Sequence, residues 1–266
     1  MGKLFAVVLT IITLASAAVF MAHVWWMPPD ASAHGAAIDS QMNSTFVEAG
    51  IAFVLSQLML AYFVWKYRDG AGRTVKLLPG GARGTVITAF LLVGLELLGL
   101  ELVGGKVWAS LYYGQPSSGA TRVQVQAEQF GYYFRYPGQD GKFGPLHPDK
   151  IDPGTGNFFG LDKENDVESR DDVVTAEIAV PVNRPVALTL HSKDVDHSFY
   201  VPTMRVHQDF LPGMEIPVHF TPTKIGKYDI VCTQLCGLGH YNMHAYMYVM
   251  SQEDYEKWMQ DRTAEQ

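Results

Sequence analysis

The stretch KYDIVCTQLCGLGHYNMHAYMYVM, residues 227–250, combines strand-like segments with potential metal ligands. Its two ends, KYDIV and HAYMYVM, are rich in Val, Ile and Tyr, which predicts two short β-strands. Two cysteines, a histidine and a methionine lie between them. Gly237 and Gly239 lie within the same run and argue against a helix. The stretch is therefore predicted to form a strand, a loop with four potential metal ligands, and a second strand.

The four potential ligands, Cys232, Cys236, His240 and Met243, follow one another at spacings of 4, 4 and 3 residues. Soft sulfur ligands combined with imidazole favour copper, whereas zinc sites use Cys and His but rarely Met. A mononuclear blue-copper site needs only one Cys, together with two His and a weak axial Met. Two cysteines in one loop instead predict a pair of metal ions that both thiolates bridge.

Such a pair needs a second histidine from elsewhere in the chain. The segment SKDVDHSFYVPTMRVHQDFLPG, residues 192–213, supplies His197, which follows a predicted strand and begins a loop punctuated by Pro and Gly. We favour His197 over four other histidines of the same region, which read as strand or loop positions without ligand-like neighbours. These are His191, His207, His219 and His244.

Two other interpretations of the cysteine loop stay open at this point. A CxxxC pair outside the cytoplasm can form a simple disulfide, because a loop can bring two Cα atoms within the usual distance of about 4.4 to 6.8 Å. The spacing of 4, 4 and 3 also matches one face of a helix, in which case the four residues would be core packing.

Three apolar stretches, residues 4–26, 46–65 and 85–103, are long enough to cross a bilayer, which needs about 20 helical residues. None of them contains Lys or Arg. The loop between the second and third stretches is rich in basic residues, so the positive-inside rule places it in the cytoplasm. These residues are Lys66, Arg68, Arg73, Lys76 and Arg83. Everything after residue 103 is then predicted to be extracytoplasmic.

Two features of the membrane stretches allow alternatives. The first stretch, with its start MGK and small-residue sites such as Ala31-Ser32-Ala33, also fits a signal peptide, but we favour a retained helix. Glu96 lies within the third stretch, and an ionisable group at membrane depth typically faces a partner helix, a cavity or a proton route. Glu96 is therefore a candidate for a proton-related role. The alternative is a neutral carboxyl that is hydrogen-bonded to a neighbouring subunit.

From residue 106 onwards the chain changes character. Short segments rich in Val, Tyr, Phe and Ile, such as RVQVQAEQF and RPVALTLH, are broken by Pro, Gly and Asp, which predicts an antiparallel sandwich or barrel. Residues 138–172 have turn chemistry throughout and are predicted to be an inserted surface loop. We therefore divide the chain into a membrane anchor of two or three helices, residues 1–105, and an extracytoplasmic β-domain, residues 106–266.

The β-domain also carries the whole net charge of −7. An acidic surface disfavours nucleic acid and suits a basic partner protein that is steered electrostatically. The simpler explanation of the charge is solubility. Three carboxylates near the predicted metal site are candidates for docking such a partner, although they also fit turn positions. They are Asp194, Asp196 and Asp209.

These features together resemble subunit II of the cytochrome c oxidase family, whose binuclear copper centre is called CuA. The resemblance rests on DVDHSF (194–199), on the PG of FLPGM (210–214), on CTQLCGLGHYNM (232–243), and on membrane helices ahead of an outer domain. It implies a cupredoxin β-sandwich. By position, His197 and Met243 resemble the ligands of one copper, and His240 with the backbone carbonyl of Gln234 those of the other. Cys232 and Cys236 would bridge both.

Three positions depart from the family pattern. Many members have Glu in place of Gln234, and that Glu helps to bind Mg²⁺ at the interface with subunit I, so the resemblance leaves the Mg²⁺ site open. The family usually has Trp in the aromatic patch where electrons enter, whereas this chain has Phe130 with Tyr132 beside it. These two aromatics are candidates for the same role or for ordinary sheet packing. Glu96 does not lie in the family's usual LExxWT context.

The resemblance implies an electron-transfer subunit of a respiratory terminal oxidase in a bacterial inner membrane, with its C-terminal domain on the periplasmic side. It would accept electrons from a cytochrome c and pass them to haem in subunit I, where oxygen is reduced and protons are pumped. The implied partners are subunit I, other oxidase subunits, the cytochrome and membrane lipid. The alternatives are the CuA subunit of a nitric oxide reductase of the same superfamily and a membrane-anchored copper chaperone.

Overall fold

The computed structural model describes residues 1–24, 26–68, 82–114 and 118–265. The chain forms two compact units. One unit consists of residues 1–27 and 37–109, and the other of residues 28–36 and 110–266. The first unit is helical and the second is mainly β-sheet.

The helical unit contains three long apolar helices. They are α1 (Gly2–Met21), α2 (Gly35–Lys66) and α3 (Ala82–Tyr112). Their most apolar windows have mean hydropathies of 2.5, 1.8 and 2.2, and each helix is long and apolar enough to cross a membrane. The three predicted spans are therefore confirmed as helices, and the anchor has three of them rather than two.

The helix ends differ from the predicted spans. Helix α2 begins at Gly35 rather than at residue 46, because the polar run DSQMNST is helical although it is not apolar. Helix α3 continues to Tyr112, so the predicted domain boundary at residue 105 lies within a helix. Glu96 lies on α3 and is exposed. Of the predicted basic loop, Arg73 and Lys76 lie outside the described residues.

The β-domain is a sandwich of two five-stranded sheets. One sheet has the strand order β3-β2-β1-β5-β8 and the other β4-β10-β9-β6-β7. The strands are β1 (Thr121–Glu128), β2 (Gly131–Tyr136), β3 (Val173–Thr175), β4 (Ile178–Pro181), β5 (Val186–Ser192), β6 (His197–Val201), β7 (Val206–Phe210), β8 (Ile216–Phe220), β9 (Gly226–Val231) and β10 (His244–Met250). A C-terminal helix, α4 (Gln252–Ala264), follows the last strand.

The predicted sandwich is confirmed, but two of its strand pairs are parallel rather than antiparallel. Strand β1 pairs in parallel with β5, and β10 pairs in parallel with β4. Parallel neighbours require long crossover connections, and each of these pairs is separated by several other strands along the chain. The local alternation of apolar residues in a strand carries no information about the direction of its neighbour.

Residues 138–172 contain no strand, as predicted, and only two short 3-10 turns, at Pro148–Lys150 and Pro153–Thr155. The segment is tied to the sandwich at its far end by a fully buried ion pair between Arg135 of β2 and Asp172. The guanidinium also donates to the side-chain oxygen of Gln124 over 2.9 Å and to the carbonyl of Gly144 over 2.7 Å. The insert is thus a folded part of the domain.

Residues 28–36, which follow α1 and include the first two residues of α2, belong to the β-domain unit. We refer to them as the strap. The Ala31 N–H donates to the Thr203 carbonyl and the Thr223 N–H donates to the Ala31 carbonyl, both over 2.8 Å. The Ala33 N–H donates to the Thr221 carbonyl over 2.9 Å. Ala31 is only 2% exposed and joins the hydrophobic core.

We expect Ala31→Leu to destabilise the β-domain, because the added methylenes have no space at this buried position. Overpacking of this kind costs about 1–3 kcal/mol of unfolding free energy. Ala33 is exposed two residues further on, so Ala33→Leu is the matched control and should change stability by less than about 0.5 kcal/mol. Denaturant unfolding of the full chain in detergent measures both. Equal stabilities of the two variants would contradict the role of the strap.

Candidate metal centre

Two segments at one end of the sandwich carry the predicted ligands. Strand β6 begins at His197, and β9 ends at Val231, directly before the cysteine loop. The two strands are neighbours in the same sheet, with Tyr200 paired to Val231. This pairing brings the start of β6 close to the loop between β9 and β10. The residues next to the ligands lock the two segments together, because the Thr233 N–H donates to Ser198 Oγ over 2.7 Å.

The sulfur atoms of the loop lie close together. Cys232 Sγ and Cys236 Sγ are 4.0 Å apart and both cysteines are free. Cys236 Sγ lies 3.5 Å from His240 Nδ1 and 3.7 Å from Met243 Sδ. Cys232 Sγ lies 3.1 Å from the carbonyl oxygen of Gln234. All four side chains predicted from the loop, and the predicted backbone carbonyl, are therefore within contact distance of a cysteine sulfur.

His197 completes this cluster from β6. One of its ring nitrogens and the two cysteine sulfurs all lie within 4.8 Å of one another. Its Nε2 is 2.8 Å from Asp194 Oδ1, whereas its Nδ1 is buried and has no hydrogen-bond partner among the described residues. A buried polar atom without a partner is costly. Because Nε2 is already engaged, Nδ1 is the nitrogen that remains for a metal ion.

The donor set fits copper. Two thiols, two imidazoles and a thioether meet in a site where Cys236 and Met243 are almost completely buried. Burial, together with the neighbouring Cys232, raises the pKa of the Cys236 thiol to about 11. In the metal-free protein this thiol is therefore protonated at neutral pH, and a metal ion would have to displace its proton.

The two aromatic candidates for the point where electrons enter occupy different environments. The Phe130 ring packs on the cysteine loop, because a Cβ on Gly239 would lie 2.5 Å from Phe130 Cδ2 and a Cβ on Gly237 3.2 Å from Cε1. This explains why the loop has glycine at these positions. Phe130 is 42% exposed, whereas Tyr132 is 3% exposed and donates its hydroxyl to the Ser198 carbonyl over 2.7 Å. Only Phe130 reaches the surface.

The three acidic candidates for docking also differ from one another. Asp194 accepts hydrogen bonds beside His197, and Asp209 accepts one from the Gln234 side-chain amide over 2.8 Å. Asp196 is exposed. Burial raises the pKa of the Asp194 carboxyl, but the hydrogen bonds from the Gln129 N–H and from His197 outweigh it, so the pKa is lowered. Both residues were predicted to lie near the site, but their hydrogen bonds to His197 and Gln234 were not predicted.

The four histidines that were not chosen as ligands have other neighbours. His207 Nε2 is 2.9 Å from Thr233 Oγ1, and His244 Nε2 is 2.9 Å from Asp229 Oδ1. Burial lowers the pKa of His191, which lies on β5 in the opposite sheet. His219 lies on β8 near Gly114. Gln129, whose side-chain amide donates to the Cys236 carbonyl, was not predicted from the sequence. Only the folded approach of the β1–β2 turn to the loop brings them together.

This chain is similar in sequence to known proteins along most of its length. The family model for the periplasmic domain of cytochrome c oxidase subunit II matches residues 161–252. The alternative cytochrome c oxidase subunit 2 of Bradyrhizobium diazoefficiens is 32% identical over 260 residues, which cover 97% of this chain and 91% of that protein. The cytochrome c oxidase subunit 2 of Cereibacter sphaeroides is 25% identical over 76% of this chain and 68% of its own length.

Among solved structures, the crystal structure of the periplasmic domain of subunit II of the Bradyrhizobium japonicum cytochrome oxidase is similar to this chain. It is 22% identical and aligns with 57% of this chain and 99% of its own, with a TM-score of 0.42. The family assignment depends on the sequence match along almost the whole chain. The chain has three apolar helices followed by a cupredoxin-like sandwich, and it matches a relative over nearly that protein's full length. It therefore belongs to the cytochrome c oxidase subunit II family, as a subunit of a haem-copper oxidase.

Proposed function

We propose that this chain holds a binuclear CuA centre and is the subunit through which electrons enter a respiratory terminal oxidase. The observation that carries the proposal is a buried cluster in which a ring nitrogen of His197 lies close to two free thiols, while His197 Nδ1 has no hydrogen-bond partner among the described residues. Cys232 and Cys236 would bridge the metal ions. His197 and Met243 would complete one copper, and His240 with the Gln234 carbonyl the other.

When bound, such a pair supplies a one-electron carrier. The residues of this chain hold and shield it. Cys232, Cys236 and Met243 are 8%, 3% and 2% exposed, so water is kept away from the sulfur ligands. The hydrogen bond between the Thr233 N–H and Ser198 fixes the loop against β6. A dry and rigid ligand set has little to rearrange when the charge changes, which favours rapid electron transfer.

The surroundings of the loop suit contacts with partner proteins. Leu235, Leu238 and Tyr241 of the cysteine loop are 82%, 97% and 90% exposed. Exposed apolar side chains of this size are typical of interaction sites. We propose that a cytochrome c donor and subunit I contact this end of the domain, that electrons enter near Phe130 with Tyr132 behind it, and that the exposed Asp196 contributes to docking together with Asp194 and Asp209.

The remaining parts of the proposal concern the membrane unit and the complex. We propose that electrons pass on to haem in subunit I, where oxygen is reduced and protons are pumped. The three helices would lie among lipid and other oxidase subunits of a bacterial inner membrane, with the β-domain on the periplasmic side. Glu96 remains the candidate for a proton-related role. With Gln at position 234 and its amide bonded to Asp209, a Mg²⁺ site here has no support.

The decisive test is to load the full-length chain with copper in detergent and to measure copper per chain together with the electron paramagnetic resonance spectrum. We expect two copper ions per chain and a signal in which one unpaired electron is shared by both. A single Cu(I) without a signal would favour the chaperone alternative. The proposal would be contradicted if Cys232 and Cys236 form a disulfide in the metal-free protein and the protein still binds no copper after that disulfide is reduced.

A second assay compares the consumption of oxygen and of nitric oxide by the purified complex. It distinguishes an oxygen-reducing oxidase from a nitric oxide reductase.

A further inference from the structure

The turn between β1 and β2 contains none of the predicted ligands, yet it contacts both segments that do. The Gln129 N–H donates to Asp194 Oδ2 over 2.8 Å, and its side-chain amide donates to the Cys236 carbonyl. Gln129 thus joins the segment ahead of β6 to the cysteine loop. Its neighbour Phe130 packs on Gly237 and Gly239 of the same loop.

Asp194 is the other half of this connection. Its Oδ1 is 2.8 Å from His197 Nε2 and accepts the Val195 N–H over 2.7 Å, while Oδ2 accepts the Gln129 N–H. A carboxylate can only accept, so His197 must carry its ring proton on Nε2. The lone pair is then on Nδ1, the buried nitrogen that has no hydrogen-bond partner among the described residues. Metal-binding histidines are commonly oriented by a carboxylate in this way.

We propose that Asp194 and Gln129 are positioning residues of the copper centre: Asp194 sets the tautomer and orientation of His197, and Gln129 holds the cysteine loop at a fixed distance from it. The inference depends on the proposed function, because it concerns the same site. It gives Asp194 a role in addition to docking. Its side chain is 29% exposed, but both of its carboxylate oxygens are already engaged inside the chain.

Asp194→Asn tests the proposal, with Asp196→Asn as the matched control. Both variants remove one negative charge from the same loop. An Asn amide cannot accept from both Gln129 and His197 as the carboxylate does, and it donates less electron density through the imidazole. We expect Asp194→Asn to weaken copper binding by about 10-fold to 100-fold, to change the copper hyperfine pattern and to raise the reduction potential. Asp196→Asn should leave all three readouts at their wild-type values.

A pure docking role predicts a different result. Both variants would then raise KM for the cytochrome donor to a similar extent, and neither would change the copper spectrum or the potential. That outcome would overturn the proposal. Thermal unfolding of the metal-free variants checks that Asp194→Asn is folded, and Asp194→Glu, which keeps the carboxylate, should restore part of the copper affinity. If Asp194→Glu is folded but restores none of the copper affinity, that result would also count against the proposal.

Gln129→Met provides a second and independent measurement. It removes the amide that binds the Cys236 carbonyl but keeps the backbone N–H that binds Asp194. We expect copper to dissociate about 10-fold faster, whereas Gln252→Met, the same change on α4, should have no effect. If wild-type protein fails to bind paired copper, the proposed function is wrong. If wild-type binds it and both Asp194→Asn and Gln129→Met behave like wild-type, only the positioning inference is wrong.

Discussion

Cys232→Ser and Cys236→Ser are each expected to abolish the binuclear copper spectrum of the full-length chain. A serine hydroxyl does not ionise at neutral pH and is a hard ligand that binds copper poorly, so one bridging position is lost in each variant. The two sulfurs lie 4.0 Å apart, and Cys236 also lies within 3.7 Å of Met243 and 3.5 Å of His240. Neither thiol can therefore replace the other. Copper per chain should fall from two to one or none.

Met243→Leu is the informative comparison for the cysteine variants. It keeps the buried volume but removes a weak thioether ligand, so both copper ions should remain and only the spectrum and the reduction potential should shift. Electron transfer from cytochrome c to the complete oxidase should be lost in the cysteine variants and retained in Met243→Leu. A cysteine variant that still shows an unpaired electron shared by two copper ions would exclude the bridging role of that residue.

The second large effect is expected from the buried ion pair that anchors the insert. Asp172→Asn leaves the Arg135 guanidinium fully buried and without its anion, which should lower the free energy of unfolding by about 3–5 kcal/mol. Lys142 and Glu168 form an ion pair within the same insert, but their side chains are 66% and 47% exposed. Glu168→Gln is therefore the control, with an expected loss of at most about 1 kcal/mol.

A double variant tests whether the ion pair between Arg135 and Asp172 is a net source of stability. Burial raises the pKa of Asp172 and lowers the pKa of Arg135, in each case by more than the partner's opposing effect. Desolvation therefore outweighs the attraction between the two charges. The double variant Arg135→Met/Asp172→Leu should accordingly be more stable than Asp172→Asn alone, as replacement of buried ion pairs by apolar groups often is. A double variant less stable than the single one would show that the pair is a net source of stability. Denaturant unfolding provides these values.

The parts of this protein that depend on local sequence could be predicted from the sequence. Long apolar runs predict membrane helices because the bilayer sets their length, and the ligand loop is visible because two Cys, a His and a Met recur within twelve residues. Among the described residues, His197 lies close to both thiols, so its role as the second histidine ligand stays a prediction that this proximity supports. The helix ends were less accurate, because a helix continues past the apolar segment that reveals it.

What the sequence did not indicate depends on contacts between distant segments. In the sequence, Gln129 and Asp194 have only the features of turn residues. Their contacts form because folding brings the β1–β2 turn, the segment before β6 and the cysteine loop together. The parallel pairing of β1 with β5 is likewise invisible in the alternation of either strand. Residue types near a site can suggest docking, but only the hydrogen bonds of Asp194 show that its carboxylate is already occupied.

The strap has a consequence for the order of biogenesis. It follows the first helix and leaves the ribosome early, yet the groups it binds come from the last third of the chain: Arg205 reaches the Pro28 carbonyl across 177 residues and Lys224 reaches the Asp30 carbonyl across 194. Contacts of such long range form late, because the intervening chain must first be made. The β-domain can therefore close on the strap only after the residues that bind it have been made, and we expect copper to load the proposed site only after that.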